Sequence, residues 1–451
     1  MDIISMYSVK IKEYRHIYKE SLQMYRSAVD FFIDICLKEW DSISIYKGLK
    51  AQKTFIESLT LPTGDRPEVP YNFNVKYYKM PCYLRRAAIS EAVGKVSSYK
   101  SNLSNWESSD PRIRGEKPSY PKAGYCYPVL YKGNMFVRVN DYTAKIKVFR
   151  NNTWDWIIVK LRKSDVDYIS RHCSRMEECA PTLQKRGKQW YLDFPFKEKC
   201  ELKATSIREQ TIVAVDLGIN SSATCSVLNS GGTVLGRHFL KLPKEYDSLN
   251  KKIGHIKYAQ RHGSRSMPKL WASAKGINDD IAVKTANFIM KIAILYDADA
   301  IVFEHLDLGK KKHGSRKQIL ALWKAKYVQQ MVEHKAHVNG IHISHINAWG
   351  TSKLAFDGSG AVLRGNKSTK TNGNYSLCEF QNGKIYNCDL SASYNIGARY
   401  FVREILKSLP ATERQRIEAK VPGCAKRSTC TLSTLISLNG ELGSAGSSIA
   451  A

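Results

Sequence analysis

Residues 211–227, TIVAVDLGINSSATCSV, constrain the fold more than any other part of the chain. An apolar run that ends in Asp216 enters a glycine turn, and a second apolar run follows it. Short apolar runs bounded by turn residues predict two buried strands joined by a tight connection. Two classes of protein use a carboxylate at the end of a buried strand in this way: nucleotide kinases and metal-dependent nucleases. The rest of the sequence has to decide between them.

The pattern after this hairpin predicts how the strands are arranged. A third strand follows (TVLGRHFLK), and helices then alternate with the strands AIVFE and IHISHI before a last helix near YNIGARYFVREIL. Three hairpin-linked strands followed by alternating helices and strands predict a mixed sheet of the RNase H type. In that topology the first strand lies beside the fourth and parallel to it. Asp216 and Glu304 would then face one edge, and Asp389, which opens the last helix, would lean over it.

The charge of the chain favours a polyanionic partner. Lys and Arg total 70 against 41 Asp and Glu, which gives a formal net charge of +29 and a pI near 9.6. Nucleic acid is the leading partner for such a chain. A membrane is not expected, because no apolar run approaches the roughly 20 residues that span a bilayer, and the N-terminus lacks the apolar segment of a signal peptide. We expect a cytoplasmic, nucleoid-associated protein of a prokaryote.

The charge and the motifs also weigh against the kinase. The turn Asp216-Leu217-Gly218 looks like a phosphate-binding turn of the actin-like ATPases. Such proteins normally have a duplicated domain with a second glycine-rich phosphate turn, and the sequence contains neither that turn nor a Walker-type loop. A large basic excess has no role in a small-molecule kinase.

Three converging carboxylates would need a cation. Their charges would repel strongly at one point unless a divalent cation neutralised them. Magnesium is the natural occupant, and two ions about 3.5 to 4 Å apart can activate water on one side of a phosphodiester and stabilise the leaving oxygen on the other. The sequence therefore predicts Asp216, Glu304 and Asp389 as catalytic, metal-binding residues with two Mg²⁺ ions.

The N-terminal half has a different pattern. Residues 5–13 predict a strand, residues 14–40 a helix, and a second helix is predicted from MPCYLRRAAIS onward. Five short runs from GNMFVRVN to KQWYLDFPF predict a small β-barrel, which the first strand can join. Basic residues along the second helix, and a run that follows Glu304, are predicted to contact phosphates: Arg85, Arg86, Lys95, Lys100, Lys310, Lys311, Lys312 and Arg316.

The eleven cysteines do not predict a zinc site. None of them forms a CxxC pair, and the spacing is not that of a secreted disulfide framework. A four-cysteine zinc module usually needs two close pairs, and the nearest approach to one is the wide pair Cys378 and Cys388. Zinc is therefore not expected.

Three segments together resemble a known family. VAVDLGIN, IVFEHLDLG and CDLSASYNIGAR look like the three RuvC motifs of TnpB, the transposon-encoded nucleases, and of their descendants, the compact type V CRISPR effectors. The resemblance covers residues 210 to about 405, and the order of strand, helical insert and barrel before them is similar to the wedge and recognition lobes of that family. It implies an RNA-guided DNA endonuclease with a guide RNA and double-stranded target DNA as partners, and with Asp216, Glu304 and Asp389 as its metal-binding triad.

The resemblance also implies a domain organisation for an α+β multidomain chain. It comprises an RNase H-like (RuvC) nuclease domain and an N-terminal β-barrel (wedge) domain that carries a helical recognition insertion. The expected segments are the first wedge strand (1–13), the recognition helices (14–110), the wedge barrel (111–205), the first part of the nuclease domain (206–350), a loop in the place of a zinc finger (351–388), the final nuclease helix (389–409) and a flexible tail (410–451).

The chain departs from the family pattern in two places. The Thr351-Ser352 pair that precedes the family's zinc finger is present, but KLAFDGSGAVLRG replaces the first CxxC and LCEFQNGKIYNC reduces the second. We infer a zinc-free loop held by its own packing, in which Arg364 helps to place the substrate. The last motif has Ser391 and Tyr394 where Asn and Arg are frequent.

Two other functions stay open at this point. One is a nuclease-inactive, RNA-guided DNA-binding protein, which the altered last motif motivates. The other is a RuvC-type resolvase or transposase that needs no guide.

Overall fold

The computed structural model describes residues 1–13, 16–112, 114–218, 221–306, 324–368, 370–371, 373–426 and 428–447. The chain is an α+β protein with two compact units. One unit is Asp2–Glu198, and the other is Lys199–Ala451 with Met1. No helix in the described part of the chain is long and apolar enough to cross a membrane.

The strands of the first unit form two sheets. In one sheet β7 (Gln189–Lys199) pairs with β1 (Asp2–Lys10), β5 (Glu177–Glu178) and β6 (Thr182–Arg186). The other is an antiparallel meander of β2 (Phe136–Asn140), β3 (Thr143–Arg150) and β4 (Thr153–Lys160). The first strand therefore joins the later strands, as the sequence allowed.

The prediction of a barrel is wrong for the described residues. A barrel needs a continuous ladder of hydrogen bonds around the closed sheet. Between β1 and β4 the structure has an isolated bridge, Ile11 to Leu161, in place of such a ladder. Alternating patterns predicted the individual strands, but closure depends on pairing between strands that are distant in sequence.

Helices fill much of the remainder of this unit. They are α1 (Ile17–Lys38), α2 (Trp40–Ser44), α3 (Leu49–Thr60), α4 (Phe73–Tyr77), α5 (Cys82–Ser108) and α6 (Lys163–His172). The helical spacing predicted α1 and α5, which pack against each other. Sequence analysis missed α6, because Val166 and Ile169 are its only buried residues and give a weak helical period.

The sheet of the second unit has the order β10-β9-β8-β11-β12. Its strands are β8 (Thr211–Asp216), β9 (Ala223–Asn229), β10 (Val234–Leu240), β11 (Ala300–His305) and β12 (His342–Asn347). The pairs β8–β9 and β9–β10 are antiparallel, and β11 runs parallel to both β8 and β12. The predicted pairing of the first strand with the fourth is confirmed.

Helices cover both faces of this sheet. After the hairpin of α7 (Pro243–Arg261) and α8 (Pro268–Leu295), α8 joins α9 (Ala325–Val338) on the face that carries Val213 and Val215. The face that carries Ile212 and Ala214 packs against α10 (Cys388–Ser408). Burial on both faces explains why β8 and β11 are almost entirely apolar.

A glycine lets α10 lie close to the sheet. A Cβ atom at Gly397 would stand 2.9 Å from Cδ1 of Leu228 and 3.3 Å from Cβ of Ala214. These separations are shorter than ordinary carbon contacts, so a larger residue would push the helix away from β8 and β9. The absence of a side chain at this point sets the depth of the helix that begins with Asp389.

The C-terminal segment differs from the predicted flexible tail. It forms α11 (Ala411–Lys420) and α12 (Leu432–Ser447), and Leu432, Leu435 and Leu438 are buried in the same core as α10. The Ser and Gly content suggested mobility, but leucines spaced three apart give the segment an apolar helical face.

A small sheet stands where the sequence predicted a zinc-free loop. Its strands are β13 (Leu363–Arg364), β14 (Leu377–Glu379) and β15 (Ile385–Asn387). Cys378, Phe380 and Cys388 are buried in one apolar cluster, with Phe356 and Tyr386 packed against it. Apolar packing thus holds this part of the loop together.

Candidate active site

Adjacent parallel strands bring Asp216 and Glu304 together. Val215 lies opposite Phe303 in the pairing of β8 with β11, and each acidic residue comes next in its strand. Neighbouring strands are about 4.8 Å apart, and side chains alternate between the two faces. Asp216 therefore shares the face of Ala214, and Glu304 that of Val302, both of which pack against α10.

Asp389 reaches the same face from the first turn of α10. Asn387 caps the helix, because its side-chain oxygen accepts hydrogen bonds from the backbone N–H groups of Asp389 and Leu390, both at 3.0 Å. The cap fixes where the helix begins and therefore where Asp389 stands. All three carboxylates are partly exposed to solvent.

Burial raises the pKa of all three carboxylates. Burial, followed by the charges of Glu304 and Asp389, raises the pKa of Asp216 well above its ordinary value. Burial also raises the pKa of Glu304 and the pKa of Asp389. The charges of Glu304 and Asp389 therefore reach Asp216 from a neighbouring strand and from the start of α10.

The donor set of this site suits a hard divalent cation. Partly buried carboxylate oxygens that repel one another are what Mg²⁺ neutralises. Within the described ranges, no three or more His, Cys, Asp or Glu side chains are arranged closely enough to hold a metal ion. The fit therefore rests on the chemistry of the three carboxylates and on the adjacent strands that end in Asp216 and Glu304.

Glu304 has a second set of neighbours. The Thr351 hydroxyl donates a hydrogen bond to its Oε1 atom, and the Gln329 side-chain amide donates to its backbone oxygen at 2.9 Å. The Thr351 bond and the positive charge of Arg399 both oppose the effect of burial on the pKa of Glu304. These contacts stabilise the ionised carboxylate.

Arg364 approaches the site from the small sheet. Its charge lowers the pKa of Asp216 and that of Asp389, although burial outweighs it at both. Its Nη2 atom donates to the Tyr375 carbonyl at 3.3 Å, and its buried Nε atom has no hydrogen-bond partner. A partly exposed guanidinium beside carboxylates, with a donor that is not used, can bind an anionic oxygen.

The other basic residues that are predicted to contact nucleic acid lie in different environments. Arg85 and Arg86 both form ion pairs with Glu57 of α3, at 3.3 and 3.1 Å. Lys95 lines a groove of about 880 Å³ with Tyr25 and Tyr99. Lys100 lies further along α5 and is partly exposed. Lys310, Lys311, Lys312 and Arg316 lie outside the described residues.

Sequence analysis missed two polar residues on α10. Asn395 is fully buried and Arg399 is 4% exposed, and both donate to backbone carbonyls of the end of β12 or of the segment that follows it. Their spacing of four residues puts them on one side of the helix. An Asn and an Arg four apart, with apolar residues between and after them in NIGARYFV, are the signal that could have revealed them.

The raised pKa of Asp216 predicts a pH-dependent stability of the metal-free protein. Between the ordinary pKa and the raised folded-state pKa, the folded chain binds more protons than the unfolded chain, so the free energy of unfolding falls as pH rises. Asp216→Asn removes this loss. In a chelator, we expect the variant to melt at a higher temperature than the wild type at about pH 8, with the difference shrinking toward pH 4. Calorimetry across this range checks it, and a constant difference would contradict it.

The comparisons set this α+β chain among TnpB-like proteins. A profile of the Aq_aa04 family matches residues 5–150. The protein called uncharacterized protein aq_aa04 of Aquifex aeolicus (strain VF5) is 32% identical over 147 residues, which are 28% of this chain and 82% of the relative. The chain therefore belongs to the Aq_aa04 family.

A second relative extends the comparison. The TnpB-like protein aq_aa05 of the same organism is 24% identical over 240 residues, which are 47% of this chain and 74% of the relative. The resemblance to the TnpB family, predicted from the three motifs, is confirmed.

A solved structure is also similar to this chain. The cryo-EM structure of a Cas12f1–sgRNA–target DNA complex contains a chain that is 14% identical, with a TM-score of 0.49. The match covers 84% of this chain and 81% of that one.

Proposed function

We propose that this protein is an RNA-guided DNA endonuclease that hydrolyses phosphodiesters in a single RuvC site. The observation that supports the proposal is that Asp216 and Glu304 end the adjacent parallel strands β8 and β11, where the charges of Glu304 and Asp389 act on Asp216. The strand order agrees with an RNase H-like domain, and one of the two reported relatives is a TnpB-like protein. The proposal includes the site residues and the segment boundaries that the sequence predicts.

In this mechanism the three carboxylates hold the cations and Arg364 binds the scissile strand. When bound, two Mg²⁺ ions supply an activated water and stabilise the leaving oxygen. Asp216 and Glu304 are fixed by strands, and Asp389 is fixed by a capped helix, so the backbone positions of the three residues are set by the fold. The Arg364 guanidinium, beside Asp216 and Asp389, is suited to a phosphate oxygen.

The guide is the second part of the proposal. A chain with a net charge of +29 needs an anionic partner to neutralise its surface. In the proposed activity, base pairing between a guide RNA and one DNA strand selects the target, while the protein reads the shape of the heteroduplex and a short flanking motif. One nuclease site implies that the two DNA strands are cut in sequence.

The test is purification with nucleic acid followed by a cleavage assay. RNA that co-purifies with the full chain is sequenced, and the complex is then given DNA that matches the RNA, with either Mg²⁺ or a chelator. We expect cleavage of the matching DNA in Mg²⁺ alone. A scrambled DNA of equal length and composition is the control.

Other outcomes would replace the proposal. A protein that retains RNA and binds the matching DNA without cutting it in Mg²⁺ would be the nuclease-inactive binding protein. A protein that purifies free of RNA and cuts branched DNA would be a resolvase. Either result would contradict the proposed function.

A further inference from the structure

We propose that Thr351 is a positioning residue for Glu304, and that Asn395 and Arg399 of α10 hold Thr351 in place. The inference rests on the proposed function, because it treats Glu304 as a ligand of the catalytic cations. It adds Thr351, which lies outside the three quoted motifs, and it gives a supporting role to Asn395 and Arg399, which lie within the third motif.

The contact between Thr351 and Glu304 is buried on the threonine side. Thr351 is 2% exposed, and its hydroxyl donates to Oε1 of Glu304. The same hydroxyl lies 3.1 Å from the carbonyl oxygen of Ala348. It carries one proton, and an ionised carboxylate is a stronger acceptor than a carbonyl. The bond fixes the rotation of the Glu304 carboxylate, whose other lone pairs can still bind a cation.

The backbone of Thr351 is held by Asn395. The side-chain amide of Asn395 donates to the carbonyl oxygens of Thr351 at 3.0 Å and Leu354 at 2.9 Å. Its oxygen accepts from the backbone N–H of Leu432 at 3.3 Å. Two of these contacts join α10 to the segment of Thr351 and the third joins it to the start of α12, so the amide helps to determine where the segment of Thr351 lies.

Arg399 holds the preceding residues of the same loop. Its Nη1 atom donates to the carbonyl oxygens of Asn347 and Trp349, both at 2.8 Å. Its Nη2 and Nε atoms donate to the carbonyls of Ser428 at 2.6 Å and Cys430 at 3.1 Å. A planar guanidinium with four backbone acceptors fixes two loops against one helix.

The helix α10 therefore determines the positions of two carboxylates of the site. Asp389 belongs to α10 itself, and Glu304 is oriented through Thr351, which Asn395 and Arg399 attach to α10. Residues that support a ligand in this way commonly change metal affinity by about 10- to 100-fold when they are mutated. In the sequence, this arrangement is marked by Thr351 and by the pair Asn395 and Arg399, which are buried in α10.

The experiment measures the binding of Mn²⁺ to the full chain, by the loss of the free-ion electron paramagnetic resonance signal, together with cleavage at saturating Mn²⁺. Thr351→Val keeps the shape of the side chain and removes the hydroxyl. We expect its Mn²⁺ affinity to fall roughly 10-fold or more, and Thr351→Ser to remain within about 3-fold of the wild type. Ser352→Ala is the matched control, because the neighbouring hydroxyl has no hydrogen bond to Glu304 among the described contacts.

The outcomes separate this inference from the proposed function. If Asp216→Ala weakens Mn²⁺ binding and Thr351→Val does not, Thr351 is not a positioning residue and only this inference fails. If Asp216→Ala binds Mn²⁺ as the wild type does, the proposed function fails, and the inference fails with it. A Thr351→Ser variant that is as weak as Thr351→Val would also overturn the inference, because the hydroxyl alone would not explain the effect. If Thr351→Val does not fold, Thr351→Ala takes its place in the comparison.

Discussion

Asp216→Ala is expected to lower the rate of DNA cleavage by a factor of a thousand or more while RNA and DNA binding persist. Asp216 stands at the centre of the site, since the charges of both Glu304 and Asp389 act on it. Removing it deletes a ligand that contributes roughly 4 kcal/mol or more in the transition state, which corresponds to about a thousandfold in rate. Nucleic-acid affinity is dominated by contacts of basic residues with phosphates, which this substitution does not touch.

The measurement is single-turnover cleavage at saturating Mg²⁺, with binding followed in parallel by gel shift. Asp247→Ala is a suitable control, because Asp247 is an exposed carboxylate on α7. The control should cleave as the wild type does. Unchanged cleavage by Asp216→Ala would contradict the assignment, and loss of RNA binding in that variant would show that its defect lies outside the metal site.

Arg399→Leu is expected to have the largest effect on stability. The side chain is 4% exposed and donates to four backbone carbonyls. Leucine would bury similar apolar area but leave those acceptors without partners, at a cost of about 1–3 kcal/mol for each that stays buried. Because the loops can partly relax, we expect a loss of roughly 3–5 kcal/mol in the free energy of unfolding.

Chemical denaturation, analysed for the transition of the unit that contains α10, measures this loss. Arg414→Leu is the matched control, because Arg414 is half exposed and pairs with Glu418 on the surface of α11. A pair of that kind contributes about 0–1 kcal/mol, so the control should change little. If the two variants lose equal stability, the buried contacts of Arg399 do not have the role described here.

The sequence predicted the pairing of the strands that end in Asp216 and Glu304 better than the architecture of the N-terminal half. Asp216 and Glu304 end short apolar runs, and a buried parallel sheet leaves such runs few alternatives, so their pairing followed from topology. Asp389 was predicted because it opens a helix with a clear apolar pattern. The predicted positions of the three carboxylates follow from the local periodicity of the strands and the helix. They also follow from the order of the strands, because few other sheet orders fit this sequence.

Two of the features that the sequence did not predict, the open sheets of the first unit and the role of Arg399, depend on long-range contacts. The predicted barrel required pairing between the ends of β1 and β4, which no local pattern encodes. The role of Arg399 depends on carbonyls of residues 347–349 and 428–430, and backbone carbonyls leave no mark in a sequence. The C-terminal helices were missed for a different reason, since leucine spacing outweighed a composition rich in Ser and Gly.

The central claim is that Asp216, Glu304 and Asp389 bind the same cations. Crystals of the full chain with its RNA and matching DNA, grown in Mn²⁺, would test it through anomalous scattering from the metal. We predict peaks at this sheet edge, with oxygens of all three carboxylates bound to the metal at hard-cation distances of about 2.0–2.6 Å. A peak elsewhere, or peaks here that one of the three side chains does not reach, would contradict the claim.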